Sequence, residues 1–414
     1  MYETFYHNLP NGVQIVHRPT PSPVVYVGLM IGAGTRHEHP NENGMAHYIE
    51  HCLFKGTEHY SARQIINHIE GIGGEINAYT TKEETTFYAA TLNNHFRTTL
   101  HLLADMVLRP TFNKKETDKE VTVILDEIES YNDSPSELIY DDFENMIFEG
   151  SSLAMPILGT KKTLRRISKS PKYPLGWMAK HYRPERMVLF VLGNVSTQQV
   201  ISAAEKEFGN TEVPINNTTL HNTKQYYTTL NNTKSRTYRR HTHQTHIMLG
   251  SHTYPVGHPK QLTMFLLNNI LGGSSMSSRL YLSLREKHGL VYNIDSQAVP
   301  LSDTGYWNIY LACEPQHKDQ CLELCHKELQ TLCDVRLTSS QLQRALRQLE
   351  GQLAISAENQ ENNALAMAKQ MLYHHRAPQW QETFEKVKQI TPSQLQEVAN
   401  EVFALDKIYT LLYD

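Results

Sequence analysis

Two histidines and a glutamate lie close together in residues 44–57, which read GMAHYIEHCLFKGT. In a helix, His47 and His51 are one turn apart and share a face, and Glu50 lies on the same side. Two neutral imidazoles at this spacing can bind one metal ion, and a carboxylate beside them can accept a proton from metal-bound water. The order His-x-x-Glu-His is the inverted motif of zinc hydrolases. This segment therefore predicts a helix that carries part of a catalytic zinc site.

A third ligand is needed, because a catalytic zinc ion usually has three protein ligands and one open position. The acidic segment 116–130 is predicted to be helical, and its Glu120 and Glu127 are seven residues apart and share a face. Either glutamate could reach the metal from a neighbouring helix. The alternative is an acidic helix face that contacts only solvent. Spacing alone leaves the choice open.

The elements that must position these residues follow from the apolar pattern. Strands are expected around Val13 and Ile15 and at 24–31, 75–80, 85–92 and 188–193; helices are expected from Ser61 to Ile69 and at 94–108, 114–131, 136–148 and 197–208. The Asn- and Thr-rich composition of residues 210–235 is typical of a connection between two halves. We therefore expect a first domain at 1–212, a linker at 213–235 and a second domain at 236–414.

The second half repeats the order of elements of the first half. Strands are expected at 246–251, 296–299 and 305–312, and helices at 261–271 and 318–333. The helix at 261–271 takes the place of the zinc helix but lacks His-x-x-Glu-His. An ancestral duplication in which one half lost the metal site explains this pattern.

Net charge, apolar runs and cysteine spacing indicate which partners and which cellular location to expect. The net charge of −4 over 414 residues gives no indication of a nucleic-acid partner or an anionic membrane. The apolar runs are too short to span a bilayer, and the N-terminal residues do not resemble a secretory signal, so we expect a cytoplasmic protein. Without a Cys-x-x-Cys motif, the five cysteines are expected to be reduced and mostly buried; the role of Cys313, Cys321, Cys325 and Cys333 stays open.

Several motifs together resemble the M16 metallopeptidases, which include pitrilysin, insulin-degrading enzyme and the mitochondrial processing peptidase. The resemblance covers essentially the whole chain and is strongest to the short M16B branch. It rests on five segments: 44–57, the helix of Glu120 and Glu127, GEINAYT at 74–80, LGGSSMSSRL at 271–280, and LREKHGLVY at 284–292.

The resemblance implies a role for each residue of the metal site. His47, His51 and Glu127 would bind one Zn²⁺ per chain, with Glu127 at the family's spacing after His51. Glu50 would be the general base on zinc-bound water, and Glu120 would match a second family glutamate that supports catalysis.

Further site residues follow from the same resemblance. Asn77 and Ala78 match a strand that holds extended substrate, and Gly272 and Gly273 match a glycine-rich substrate loop. Arg285 and Tyr292 match a pair found in active members, in which Tyr292 would donate to the oxyanion and Arg285 would hold the substrate backbone.

The fold implied is α+β, with two similar domains, each an antiparallel sheet with helices packed mainly on one face (the LuxS/MPP-like metallohydrolase fold). The function implied is a zinc-dependent endopeptidase that hydrolyses peptides or unfolded polypeptide segments. Because long members close a chamber from four such domains, we expect a homodimer, in which Arg285 and Tyr292 serve the partner chain's zinc. The alternatives are a non-catalytic or auxiliary subunit of a heteromeric M16 processing peptidase and a heterodimer with a related M16 chain.

Overall fold

The computed structural model describes residues 3–209, 234–240 and 242–414. These residues form two compact units, each built on one β-sheet. The first unit comprises 3–130, 150–209 and 357–378; the second comprises 131–149, 379–414 and the described part of 234–356.

The sheet of the first unit has six strands: β1 (Phe5–Asn8), β2 (Gln14–Pro19), β3 (Val24–Ile31), β4 (Glu75–Thr80), β5 (Thr85–Leu92) and β6 (Met187–Gly193). They lie in the order β1-β2-β6-β3-β5-β4, and every neighbouring pair is antiparallel except β2 and β6. Strand β4 is therefore an edge strand, which pairs only with β5 among the described residues.

The helices of the first half of the chain are α1 (Met45–Leu53), α2 (Ala62–Glu70), α3 (Phe96–Leu108), α4 (Lys114–Asn132), α5 (Pro135–Ile147), α6 (Lys161–Ile167), α7 (Lys172–His181) and α8 (Thr197–Phe208). Alternate residues of β3 face opposite sides of the sheet. Val27 and Leu29 enter a core that also contains buried residues of α1 and α3, whereas Met30 faces the other side.

The second sheet has five strands: β7 (Ser235–Tyr238), β8 (Thr245–His252), β9 (Val291–Pro300), β10 (Gly305–Cys313) and β11 (Tyr409–Tyr413). Its helices are α5, α9 (Gln261–Gly272), α10 (Lys318–Asp334), α11 (Ser339–Ala357), α13 (Trp380–Val387) and α14 (Pro392–Val402). Helix α12 (Gln360–His374) belongs to the first unit. A short π-helical segment, Tyr281–Lys287, precedes β9.

The two sheets share one plan. The order β7-β11-β8-β10-β9 matches β2-β6-β3-β5-β4, and the parallel pair occupies the same position in each. The predicted repeat and the predicted α+β fold with two similar domains are therefore confirmed. The sheets are mixed, since each contains one parallel pair, and the first 34 residues contain three strands where two were expected.

One helix in each unit comes from the other half of the sequence. Buried residues of α12, such as Met367, pack beside Met30 and Phe190 on the second face of the first sheet. On the second sheet, Phe143 of α5 approaches Gly250 so closely that a Cβ there would lie 2.6 Å from its ring. The compact units therefore differ from the expected contiguous division at 1–212 and 236–414. Residues 213–233 of the expected linker lie outside the described residues, and Ser235 begins β7.

The state of the cysteines agrees with the expectation from the sequence. All five cysteines are buried free thiols. In the described ranges, no helix combines the length and the apolar character required to cross a membrane.

Candidate metal centre

Helix α1 is held by its apolar face and by a buried carboxylate at its start. Ala46, Ile49 and Leu53 are completely buried in the core of the first unit. Glu38 accepts hydrogen bonds from the backbone N–H groups of Gly44 (2.8 Å) and Ala46 (2.7 Å). These are the unpaired donors of a helix N-terminus, where a negative charge is also favoured by the helix dipole. Burial raises the pKa of Glu38 to about 7, although its hydrogen-bond donors act in the opposite direction.

Three side chains converge beside α1, where His47 is buried and His51 and Glu127 are half-buried. Glu127 Oε2, on α4, lies 3.7 Å from His47 Nε2 and 3.6 Å from His51 Nε2. The potential ligand atoms of these residues all lie within 4.8 Å of one another, and no other group of this kind occurs in the part of the chain that the structure describes. The structure therefore brings together the two motif histidines and the second of the two candidate glutamates.

Glu120 lies behind His51. Its Oε2 is 3.1 Å from His51 Nδ1, and its Oε1 is 2.7 Å from Lys55 Nζ. A carboxylate at Nδ1 keeps the proton on that nitrogen and leaves the Nε2 lone pair facing Glu127. Glu120 thus orients His51 and is not in the ligand group.

His47 is suited to binding a cation because it stays neutral. Burial, reinforced by His51, lowers its pKa from 6.5 to about 3. Its Nδ1 is buried and has no hydrogen-bond partner among the described residues. The side chain therefore retains a lone pair for a metal ion throughout the neutral pH range.

Glu50 lies on α1 between the two histidines. Thr80 Oγ1, at the end of β4, donates a 2.6 Å hydrogen bond to Glu50 Oε2. Burial raises the pKa of Glu50, against the opposing effect of Thr80, and burial also raises the pKa of Glu127. A base with a raised pKa holds a transferred proton more firmly than an ordinary carboxylate.

The donor set fits zinc. Two imidazole nitrogens and one carboxylate form the three-ligand set of catalytic zinc sites. Zinc–ligand bonds of normal length in tetrahedral geometry place ligand atoms about 3.4 Å apart. The separations of 3.6 and 3.7 Å between Glu127 and the two histidines are close to this value.

The expected substrate strand has a free edge. Asn77 is exposed on β4, whereas Ala78 packs against the core. Because β4 is an edge strand, its outer backbone groups are available to an extended peptide. Strand β4 ends at Thr80, whose side chain donates a hydrogen bond to Glu50, so the edge strand contacts Glu50 directly.

Arg285 and Tyr292 form a group in the second unit together with Tyr281. The guanidinium carbon of Arg285 lies 4.8 Å from the ring centre of Tyr281 and 5.1 Å from that of Tyr292. Arg285 Nη1 also donates to Tyr281 Oη. Tyr292, on β9, is 75 % exposed, which is unusual for a large ring and leaves its hydroxyl available to a ligand.

Close packing explains the two glycines of the expected substrate loop. Gly272 is the last residue of α9, and a Cβ there would lie 2.7 Å from Ser296 Cβ. At Gly273 a Cβ would lie 3.0 Å from both the Cα and the carbonyl oxygen of Asn269. A role of these residues in binding substrate stays a prediction.

Sequence reasoning missed Glu38, Thr80 and Tyr281. In the sequence, Glu38 belongs to a polar segment that predicts a loop. No local pattern indicates that its carboxylate turns back onto α1. Thr80 closes the GEINAYT segment, so its position beside Asn77 and Ala78 was the available signal. Tyr281 precedes Arg285 by one helical turn, and this spacing could have suggested the contact.

Comparison with known proteins gives a consistent result. The family model described as Insulinase (Peptidase family M16) matches residues 14–161, and the Peptidase M16 inactive domain matches 175–349. An uncharacterized zinc protease of Bacillus subtilis, YmxG, is 34 % identical over 97 % of this chain and 96 % of its own length. The chain belongs to peptidase family M16.

Further similar proteins extend the comparison. An uncharacterized zinc protease of Streptomyces coelicolor is 30 % identical over 95 % of this chain and 86 % of its own. A Helicobacter pylori protease structure matches with a TM-score of 0.90 at 20 % identity, covering all of both chains. A peptidase M16 inactive domain from Pseudomonas fluorescens matches with a TM-score of 0.88 at 19 % identity, covering 99 % of this chain and 97 % of its own. The family and the names of these relatives indicate a zinc peptidase, and the solved structures share its fold.

Proposed function

We propose that this M16 protein is a zinc-dependent endopeptidase that hydrolyses peptides or unfolded polypeptide segments. The observation that carries the proposal is the convergence of His47, His51 and Glu127 beside Glu50, with its raised pKa. Zinc held by those three side chains would supply Lewis-acid activation of water and of the scissile carbonyl.

Glu50 is the general base in this proposal. Thr80 holds its Oε2, so Oε1 is the oxygen that accepts a proton from the attacking water and later passes it to the leaving amine. The free edge of β4 would pair with the substrate backbone and hold it extended. Extended binding favours unfolded segments, because a folded protein has few free backbone groups to pair.

A peptide-library digest tests this function. Wild-type protein is expected to cleave internal peptide bonds, to lose activity when zinc is removed by a chelator, and to regain it when zinc is restored. Glu50→Gln is expected to bind zinc but to hydrolyse about 10²–10⁴-fold more slowly. Undiminished cleavage by pure Glu50→Gln protein would rule out the mechanism, and release of single terminal residues alone would rule out endopeptidase action.

The proposal includes a cytoplasmic homodimer in which Arg285 and Tyr292 act on substrate at the partner chain's zinc. Tyr292 would donate to the oxyanion, and Arg285, stacked between two tyrosines, would hold the substrate backbone. Mixing Glu50→Gln chains with Tyr292→Phe chains tests this arrangement. Activity of the mixture above that of either variant is expected; no recovery in a confirmed mixed dimer would contradict it.

A further inference from the structure

One segment of the first unit has a charge opposite to that of the whole protein. Residues 150–184 contain eight Lys and Arg and no Asp or Glu, although the chain carries a net charge of −4. The preceding residues 114–149 contain twelve acidic and three basic residues. The overall net charge conceals this separation.

The basic residues form a continuous exposed group along α6 and the start of α7. We call Lys161, Lys162, Arg165, Arg166, Lys169 and Lys172 the basic surface; all six are exposed. Lys161 pairs with Glu129 at 3.3 Å, and the other five have no ion pair with a carboxylate among the described residues. Unpaired cations at this density attract anionic ligands and increase their association rates.

The fold holds α6 in place. Leu164 and Ile167 are completely buried in the same core as Met45 and Ile49 of the zinc helix. Thr160 caps α6 by accepting a hydrogen bond from Thr163 N. Because one face of the helix is buried, the cations are directed to solvent in a fixed arrangement.

The basic surface begins beside the start of the zinc helix. Lys161 pairs with Glu129 of α4, which lies about 200° around that helix from Glu127 and therefore on its other side. Just before α6, Gly159 contacts Gly44 at the start of α1, since a Cβ on Gly44 would lie 2.8 Å from Gly159 Cα. A polypeptide that extends from the zinc site over the start of α1 would meet these cations.

We propose that the basic surface binds an acidic segment of the polypeptide substrate outside the residues paired with β4. This inference rests on the proposed function, since it assumes that the ligand of the first unit is a polypeptide. All six cationic side chains are exposed, so they would bind the acidic segment without selecting one sequence. A flat anionic bilayer fits less well, because α4 presents exposed acidic groups directly beside Lys161.

Peptide binding tests the proposal without requiring hydrolysis. Fluorescent peptides are made with one shared central sequence and either a glutamate tail or a lysine tail. Each tail is placed at the N-terminus in one pair of peptides and at the C-terminus in another. Binding to the Glu50→Gln protein is followed by anisotropy. At low ionic strength, the glutamate-tailed peptide should bind about tenfold more tightly at one tail position, and this preference should decrease as salt screens the charges.

Charge-reversing variants locate the binding surface. Lys162→Glu with Arg166→Glu should reduce affinity for the glutamate-tailed peptide about tenfold. Arg97→Glu with Lys206→Glu makes the same change in net charge at exposed positions on α3 and α8 and should leave that affinity unchanged. If the double glutamate variant has a lower melting temperature than wild type, the milder Lys162→Gln with Arg166→Gln variant is used in its place. In the hydrolytic protein, the reversal should raise KM for the glutamate-tailed peptide and leave kcat unchanged.

The outcomes separate this proposal from the proposed function. Equal binding of both tails, or equal losses in the test and control variants, would overturn the acidic-segment proposal. If wild type binds phosphatidylglycerol vesicles through these residues but not the glutamate-tailed peptide, the surface is a membrane site and the proposal is wrong. Tail-dependent binding without hydrolysis by wild type would reject the endopeptidase and retain the surface; hydrolysis without tail dependence would reject only the surface.

Discussion

The two units use the same strand order but differ in the helix that packs beside the edge strand. In the first unit, α1 carries His47, Glu50 and His51, and Glu50 receives a hydrogen bond from Thr80 on β4. In the second unit, α9 carries the neutral Asn268. Its Oδ1 accepts from Ser296 Oγ at 2.6 Å and Trp307 Nε1 at 3.1 Å, and its Nδ2 donates to the carbonyl of Ser296 at 2.9 Å.

This difference shows how one scaffold serves two purposes. The amide of Asn268 is paired with neutral groups on β9 and β10, so the contact stabilises the second unit. In the first unit, burial raises the pKa of Glu50, and two imidazoles and a second carboxylate lie nearby. Burying the titratable groups around Glu50 costs free energy unless a cation is bound. The amide of Asn268 already has all the hydrogen-bond partners named above and needs no ligand. Side chains, and not strand order, therefore distinguish the two units.

Substitution of Glu127, the proposed third ligand, should have the largest effect on zinc binding by the first unit. Glu127→Gln is expected to weaken zinc binding by at least about 100-fold, more than the loss of a residue behind a ligand. Competition with a chromogenic chelator measures this affinity. Glu129→Gln on the same helix is the matched control, since Glu129 is exposed and pairs with Lys161. Zinc affinity unchanged by Glu127→Gln would remove this residue from the site.

Substitution of Glu120 should reduce zinc affinity by less than substitution of Glu127. Glu120→Gln should weaken zinc binding about 10–100-fold, because His51 loses the carboxylate that orients its ring. The same chelator competition measures the effect. A loss as large as that of Glu127→Gln would contradict the assignment of Glu120 as a positioning residue.

Thr80 tests whether the contact between helix and edge strand has a catalytic role in the first unit. Thr80→Val should lower kcat about tenfold and leave KM nearly unchanged, because Glu50 loses the donor that orients it. Thr80→Ser retains the hydroxyl and should restore kcat. If valine and serine variants have equal kcat values, the hydrogen bond does not contribute.

The units should also differ in sensitivity to acid. Burial lowers the pKa of His17 to about 4 and the pKa values of His37 and His181 to about 3; for His37 and His181, the positive charge of Arg186 adds to the effect. The unfolded state binds protons with a pKa near 6.5, so it is favoured as pH falls from 6.5 towards these values. At pH 5.5 each of these histidines should reduce the free energy of unfolding by about 1 kcal/mol. Glu38 offsets part of this loss, because its pKa is raised to about 7 and the folded state takes up its proton first.

Hydrogen exchange resolves this last effect by region. Metal-free protein is compared at pH 7.5 and 5.5, after correction for intrinsic exchange rates, so that loss of zinc does not contribute. Protection should decrease more in β2 and α7 than in β8, because burial lowers the pKa values of His246 and His252 on β8 by less. Equal decreases in both units would show that these buried histidines do not control acid sensitivity.

Much of the fold could be predicted because its signals are local. The strands at 24–31, 75–80 and 85–92 appear with their expected bounds, and Ser61 caps α2 as expected. The placement of α5 and α12 could not be predicted in this way. An amphipathic helix shows that it has an apolar face but not which sheet that face covers.

The sequence by itself determined the metal helix, since His47, Glu50 and His51 share a face through helical periodicity alone. Together with family resemblance, it also indicated Glu127. The tertiary structure showed what each glutamate contacts: Glu127 faces both Nε2 atoms, and Glu120 faces Nδ1 of His51. It alone revealed Glu38 at the start of α1 and Thr80 on Glu50. These contacts join elements distant in sequence, and their geometry depends on how α1, α4 and β4 pack around one core.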